Sequence, residues 1–128
     1  MHRLTRSLLL LACLFTWPAM ASEPGPIIVV THIDVIPGNT LTDALPRLKQ
    51  FAADSKNDPG VLSFQLITWT PTTNHFQLIE VYSSLEAFNR HVEAAHTIAF
   101  RTAIQPDIGA PYDERVYTVG RPEHDFDD

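Results

Sequence analysis

Cysteine is all but missing from this chain: of 128 residues only Cys13 carries a thiol, and it lies in a segment that export would remove. A mature protein without cysteine forms no disulfide, so a packed core must hold it together. Positive charge is scarce as well. Nine Lys and Arg stand against fifteen Asp and Glu, a formal charge of -6, which argues against nucleic acid or anionic lipid as a partner, because both demand a basic patch. The phosphate-cradling patterns G-x-G-x-x-G and G-x-x-x-x-G-K-[ST] are absent, and so is the G-x-S-x-G nucleophile elbow. No dinucleotide, nucleotide or elbow-type hydrolase site is therefore signalled. Internal repeats and low-complexity tracts are lacking too, and only residues 23–26 and 123–128 read as solvated tails.

What stands at the start is an export leader. Residues 1–21 combine a positive stretch at Arg3 and Arg6, an apolar core over 8–17 too short for a stable membrane anchor, and the A-x-A site Ala19-Met20-Ala21. Removal of this signal peptide starts the mature chain at Ser22, places it in the periplasm or outside the cell, and makes it more negative, since Arg3 and Arg6 leave with the leader. Lipidation at Cys13 is the alternative, because Leu10-Leu11-Ala12-Cys13 faintly resembles a lipoprotein box. The apolar run before Cys13 is short, however, and the A-x-A site is the stronger signal. Residues 22–128 then make up a single domain with a modest core.

Residues 27–36 read as a first strand, with Val29, Thr31, Ile33 and Val35 on one face and Ile28, Val30, His32, Asp34 and Ile36 on the other. Both faces are mostly apolar, the mark of a strand covered on both sides. In so small a domain one cover is expected to be a second subunit, making a homodimer. Pro37-Gly38 ends the strand. Leu41, Leu45, Leu48 and Phe51 form a helical stripe, capped by Thr42 or Asp43, with Pro46 tolerated in or beside the first turn. Asp58-Pro59-Gly60 is a stop and turn. Residues 61–69 and 75–82 form a hairpin around a turn at 71–74, two short helices follow, and 112–119 is the last strand after a loop at 106–111. The order β-α-β-β-α-β predicts an α+β, ferredoxin-like domain.

Chemistry concentrates between Phe76 and Phe100. Glu80 and Tyr82 point the same way from one strand, because side chains two apart share a face. Ser83 and Glu86 have the spacing of a capping box. Leu85, Phe88 and Val92 then recur as a buried stripe bordered by His91, and His96 shares a face of the next helix with Phe100 and Ala103. Two imidazoles, a carboxylate and a phenol thus surround an apolar pocket. Glu80 is either a buried strut satisfied by a histidine or backbone donor, or the group that orients His91 or His96 as a general base. Tyr82 reads better as core with its hydroxyl satisfied than as catalytic. His91 is preferred as the base, since His96 opens its helix, where capping or exposure to solvent is the alternative role. A metal is not expected. Histidines five apart on one helix lie about 140° apart, whereas a helical pair of ligands needs a spacing of four. A break between them would bring them together, but no third ligand clusters with them in the sequence.

The same stretch carries a resemblance. Leu78, Ile79, Glu80 and Tyr82, then Ala87-Phe88, then His91, His96 and Phe100 stand in the pattern L-I-E-x-Y, Ala-aromatic, H-x4-H-x3-F. With Ile36-Pro37-Gly38 and Asp58-Pro59-Gly60 upstream, this resembles the antibiotic biosynthesis monooxygenase family over most of residues 27–119. The resemblance implies a dimeric α+β barrel and a cofactor-independent monooxygenase. A quinol or polycyclic phenol is deprotonated, and its anion reacts with dioxygen without flavin or metal. It implies His91, Glu80 and His96 as catalytic residues and Thr31, Phe64, Tyr82, Phe88 and Phe100 as the substrate pocket. A haem-degrading branch of the superfamily is a weaker match, because its strand-one asparagine and strand-three tryptophan fall at Thr31 and Tyr82 and its haem-ligand histidine near Arg101. A non-catalytic exported dimeric module that binds a small apolar ligand is the third reading.

Overall fold

Alternation in the first strand sets the plan of the molecule, whose computed structural model describes residues 25–119. β1, Ile27–Asp34, buries Ile27, Val29, Thr31 and Ile33 and leaves Ile28, Val30, His32 and Asp34 half-buried. It lies between two antiparallel neighbours, β3 (His75–Tyr82) and β4 (Asp113–Thr118), and β2 (Val61–Thr68) pairs with the far side of β3. The sheet order is β2-β3-β1-β4, the ferredoxin-like α+β arrangement that the element order predicts. Its register sets Glu80 against Val29 and Glu114 against Thr31. Both carboxylates therefore project from the inward face, among apolar neighbours.

Among the described residues three α-helices cover that face. α1, Leu45–Ser55, buries Leu48, Phe51 and Ala52, and these pack with Ile33, Phe64 and Leu78 of the sheet. Pro46 falls in its first turn, at the junction with a wider helical turn. The expected cap by Thr42 or Asp43 is not made. A wide π-helical turn, Thr40–Ala44, leads straight into α1, so Thr42 and Asp43 lie inside a continuous coil, and the Thr42 hydroxyl donates to Asp43 Oδ2 at 2.8 Å instead.

α2, Leu85–Glu93, is capped one residue later than the sequence spacing suggests. Ser84 is extended and its Oγ accepts from the Ala87 N–H at 3.1 Å, while Glu86 pairs with Arg90 one turn along. The buried stripe also differs from the expected one. Ala87, Phe88 and His91 are the buried residues, Val92 is half-buried, and Leu85 is 48% exposed. His91 is thus part of the buried stripe and not its border. α3, Ala95–Ile104, buries Thr97, Phe100 and Ile104.

The outer face of the sheet carries Ile28 opposite Val81 and Val30 opposite Ile79. All four are partly exposed, and among the described residues the buried clusters take their sheet residues from the inward face alone.

Candidate functional site

The turn between α1 and β2 is where the site begins. Gly60 has φ +86°, a left-handed conformation natural to glycine, and a β-carbon there would lie 2.5 Å from Ala87 Cβ. Without one, the turn presses against the start of α2, and the Ser83 N–H donates to the Gly60 carbonyl at 2.8 Å. Asp58 is thereby held against the helix that carries His91. Its Oδ2 lies 2.8 Å from His91 Nδ1.

His96 reaches the same carboxylate because the helix breaks. Ala94 adopts φ -64° and ψ 143°, closing α2 and opening α3. The two imidazoles consequently converge, with ring centroids 5.8 Å apart. His96 Nε2 lies 3.1 Å from Asp58 Oδ2 but is not aligned as a hydrogen bond, and it is buried without another partner.

An ionised carboxylate only accepts, so the short contact puts the proton of neutral His91 on Nδ1 and leaves the lone pair on Nε2. The ring is 2% exposed and sits among Phe51, Phe64 and Tyr82, with centroids 5.4–5.7 Å away. Burial lowers its pKa from the ordinary 6.5, an effect that the hydrogen bond to Asp58 opposes in part. Glu80, 2% exposed, takes its hydrogen bond from Tyr82, whose hydroxyl donates to Oε2 at 2.6 Å. Burial raises the Glu80 carboxyl to about 7, against the opposing effect of that bond. Burial and the adjacent Glu80 together push the Tyr82 phenol far above its usual range, which keeps it protonated.

The expected pairing of Glu80 with a histidine is therefore corrected. Glu80 belongs to Tyr82, and Asp58 belongs to His91. Contrary to expectation, a third ligand-type residue does join the histidines: ligand atoms of Asp58, His91 and His96 all lie within 4.8 Å of one another. The spacing of five is no obstacle once Ala94 interrupts the helix. The aromatic residues expected to line one pocket are divided: Phe100 borders a cavity between α1 and α3, whereas Phe64 borders a separate hollow along β2. Phe100 stacks on Phe51 at 3.9 Å and 3°, and together with His96, Arg47, Gln50 and Asp54 this pair lines the cavity of about 280 Å³ between α1 and α3. Phe64 lies inside the core against His91, and Phe88 packs edge-on against Tyr82 at 5.4 Å. Thr31 is fully buried at the centre of β1. The sequence reading missed Asp58, which its turn motif explained away, and the pair Arg101–Glu114, joined at 2.5 Å. Arg101 also lies over the Tyr112 ring at 5.4 Å.

A four-stranded antiparallel sheet, helices on one face and a buried histidine–carboxylate centre define a small ferredoxin-like α+β domain. The antibiotic biosynthesis monooxygenase family matches residues 26–103, and the chain belongs to that family. No curated protein matches it. Among solved structures it is similar to a candidate antibiotic biosynthesis monooxygenase from Nitrosomonas europaea (TM-score 0.71, 18% identity, 78% of this chain and 95% of that one). A second from Caulobacter crescentus CB15 gives a TM-score of 0.68 at 24% identity over 73% and 89% of the two chains. A conserved protein from Methanosarcina mazei Go1 gives 0.68 at 12% identity over 72% and 90%. At such identities the likeness is one of fold.

Proposed function

We propose that this protein is a cofactor-independent monooxygenase that oxidises a quinol or polycyclic phenol with dioxygen. The observation that carries this reading is the Asp58–His91 pair. Asp58 holds one tautomer of a buried neutral imidazole, leaving a lone pair on Nε2, and the carboxylate stabilises the imidazolium that forms when a phenolic proton is taken. The apolar walls around His91 exclude water from the resulting aromatic anion. That anion supplies all four electrons. One oxygen atom of dioxygen enters the ring to give a quinone, and the other leaves as water.

The cavity beside Phe51 and Phe100 offers the flat, apolar entrance such a ring needs. His96 stands between it and His91, half-exposed and without an aligned hydrogen bond, so it is the side chain that moves when substrate enters. The reading includes a homodimer closed over Ile28, Val30, Ile79 and Val81, an apolar cluster that none of the described helices buries. It also includes export by removal of residues 1–21, which lie outside the described residues. Sedimentation of the mature protein as a concentration-independent monomer would remove the first, and a mature N-terminus other than Ser22 the second.

The test is oxygen consumption by purified, metal-stripped protein over a panel of quinols. Uptake with quinone formation is expected, and His91→Gln should reduce it on the order of a hundredfold, the usual scale for a positioned proton acceptor. Binding of a quinol without uptake would replace the oxygenase with a small-ligand-binding module.

A further inference from the structure

We propose that Asp58, His91 and His96 form a binding site for one divalent first-row transition-metal ion. Three separate elements deliver the donors. Asp58 comes from the turn after α1, His91 from α2 and His96 from α3, and Gly60 and Ala94 are the backbone features that bring them together. Asp58 Oδ2 is 2.8 Å from His91 Nδ1 and 3.1 Å from His96 Nε2. Donors around a tetrahedral ion with bonds of about 2.0–2.1 Å stand roughly 3.3 Å apart, so the two contacts to Asp58 are within a few tenths of an ångström of that spacing, and all three donors lie within 4.8 Å of one another.

His96 Nε2 is the second observation. It is a buried nitrogen aimed at the carboxylate, yet among the described residues it makes no hydrogen bond, and a buried polar atom left unsatisfied in this way calls for a partner. Two imidazoles and one carboxylate select zinc, iron, cobalt or nickel over magnesium and calcium, which take oxygen donors. Three protein ligands leave an open position. His96 also lines the cavity between α1 and α3, so the remaining ligand would be a water or small molecule from that side.

This site goes beyond the metal-free oxygenase reading and does not depend on it. A metal on His91 Nδ1 takes the place of the proton that Asp58 accepts, and the ring's remaining proton then sits on Nε2. Metal and base therefore exclude one another on the same ring, and the ion would silence proton abstraction.

The experiment is titration of the chelator-treated protein with Co²⁺ alone, followed by visible absorption and, in parallel, by calorimetry with Zn²⁺. One ion per chain is expected, with a visible band of low-symmetry Co²⁺. Affinity should fall by at least about a hundredfold in His96→Gln, the upper end of what even an outer-shell loss costs. Asp58→Asn should fall likewise. His96 is half-exposed, so His96→Gln should fold even where the Asp58 substitution loosens the turn, and circular dichroism checks both. No saturable Co²⁺ band, or equal affinity in wild type and His96→Gln, would overturn the proposal. No substrate is present in the titration, so failure of the oxygenase reading leaves its outcome unaffected.

Discussion

Tyr82 donates its hydroxyl proton to Glu80 Oε2 at 2.6 Å, with both side chains buried on the inward face of β3. The pair has a consequence for stability. Burial raises the Glu80 carboxyl from 4.5 to about 7, so the folded protein holds that proton more tightly than the unfolded chain does. Stability from this group is complete below about 4.5 and is lost as the pH rises through about 7. A difference of that size corresponds to about 3 kcal/mol. Glu80→Gln keeps an acceptor for Tyr82 and removes the ionisation. Urea unfolding should therefore give similar stabilities at pH 5 and a more stable variant at pH 8. The two proteins differ at this one side chain, so the pH dependence of their difference reports on Glu80. A wild type that is equal or superior at pH 8 would contradict the assignment.

Gly60→Ala should destabilise the fold by about 2 kcal/mol or more. The substitution forces a side chain into the left-handed region and sets a β-carbon 2.5 Å from that of Ala87. Relief of the clash moves the turn from α2, so the same variant should also loosen Asp58 from His91. A shift of the imidazole resonances together with the drop in melting temperature checks both effects. Gly38, with nothing within 4 Å of such a β-carbon, should tolerate the same change far better.

Much of the frame is legible in the sequence because alternation reports burial directly. β3 is the clearest case: Phe76, Leu78, Glu80 and Tyr82 form the buried face, and the predicted limits 75–82 match the strand. The site is less legible. Asp58 stands 33 positions from His91, and Asp-Pro-Gly already has a sufficient explanation as a turn, so nothing local points to its carboxylate. The break at Ala94 involves neither glycine nor proline, which hides the one feature that lets histidines five apart converge. Two adjacent serines, Ser83 and Ser84, offer equally good caps, and the choice between them depends on the tertiary bond from Ser83 N–H to Gly60.

That choice of cap is open to measurement. Ser84→Ala removes the acceptor for the Ala87 N–H and should cost about 1 kcal/mol, the ordinary worth of an N-cap. Ser83→Ala keeps the backbone bond to Gly60 and should cost only a few tenths of that. Thermal unfolding of the two variants side by side decides the matter, and the reverse order would restore the cap at Ser83.

Asp58 and Glu80 also make opposite predictions for turnover. Were Glu80 the group that orients the imidazole, Glu80→Gln would remove the base's support. Its bond goes to Tyr82 instead, and the 2.8 Å contact to His91 Nδ1 comes from Asp58. Asp58→Asn can still meet His91 through its amide, but it no longer stabilises an imidazolium and it permits the wrong tautomer. Quinol oxidation should therefore fall by about a hundredfold to ten-thousandfold in kcat, with KM nearly unchanged, because the lost interaction develops only as the proton transfers. Glu80→Gln should fall much less. Steady-state oxygen uptake by the two variants at saturating quinol measures this. A larger loss in Glu80→Gln than in Asp58→Asn would return the orienting role to Glu80 and require the Tyr82 hydrogen bond to be exchanged for one to histidine in the substrate complex.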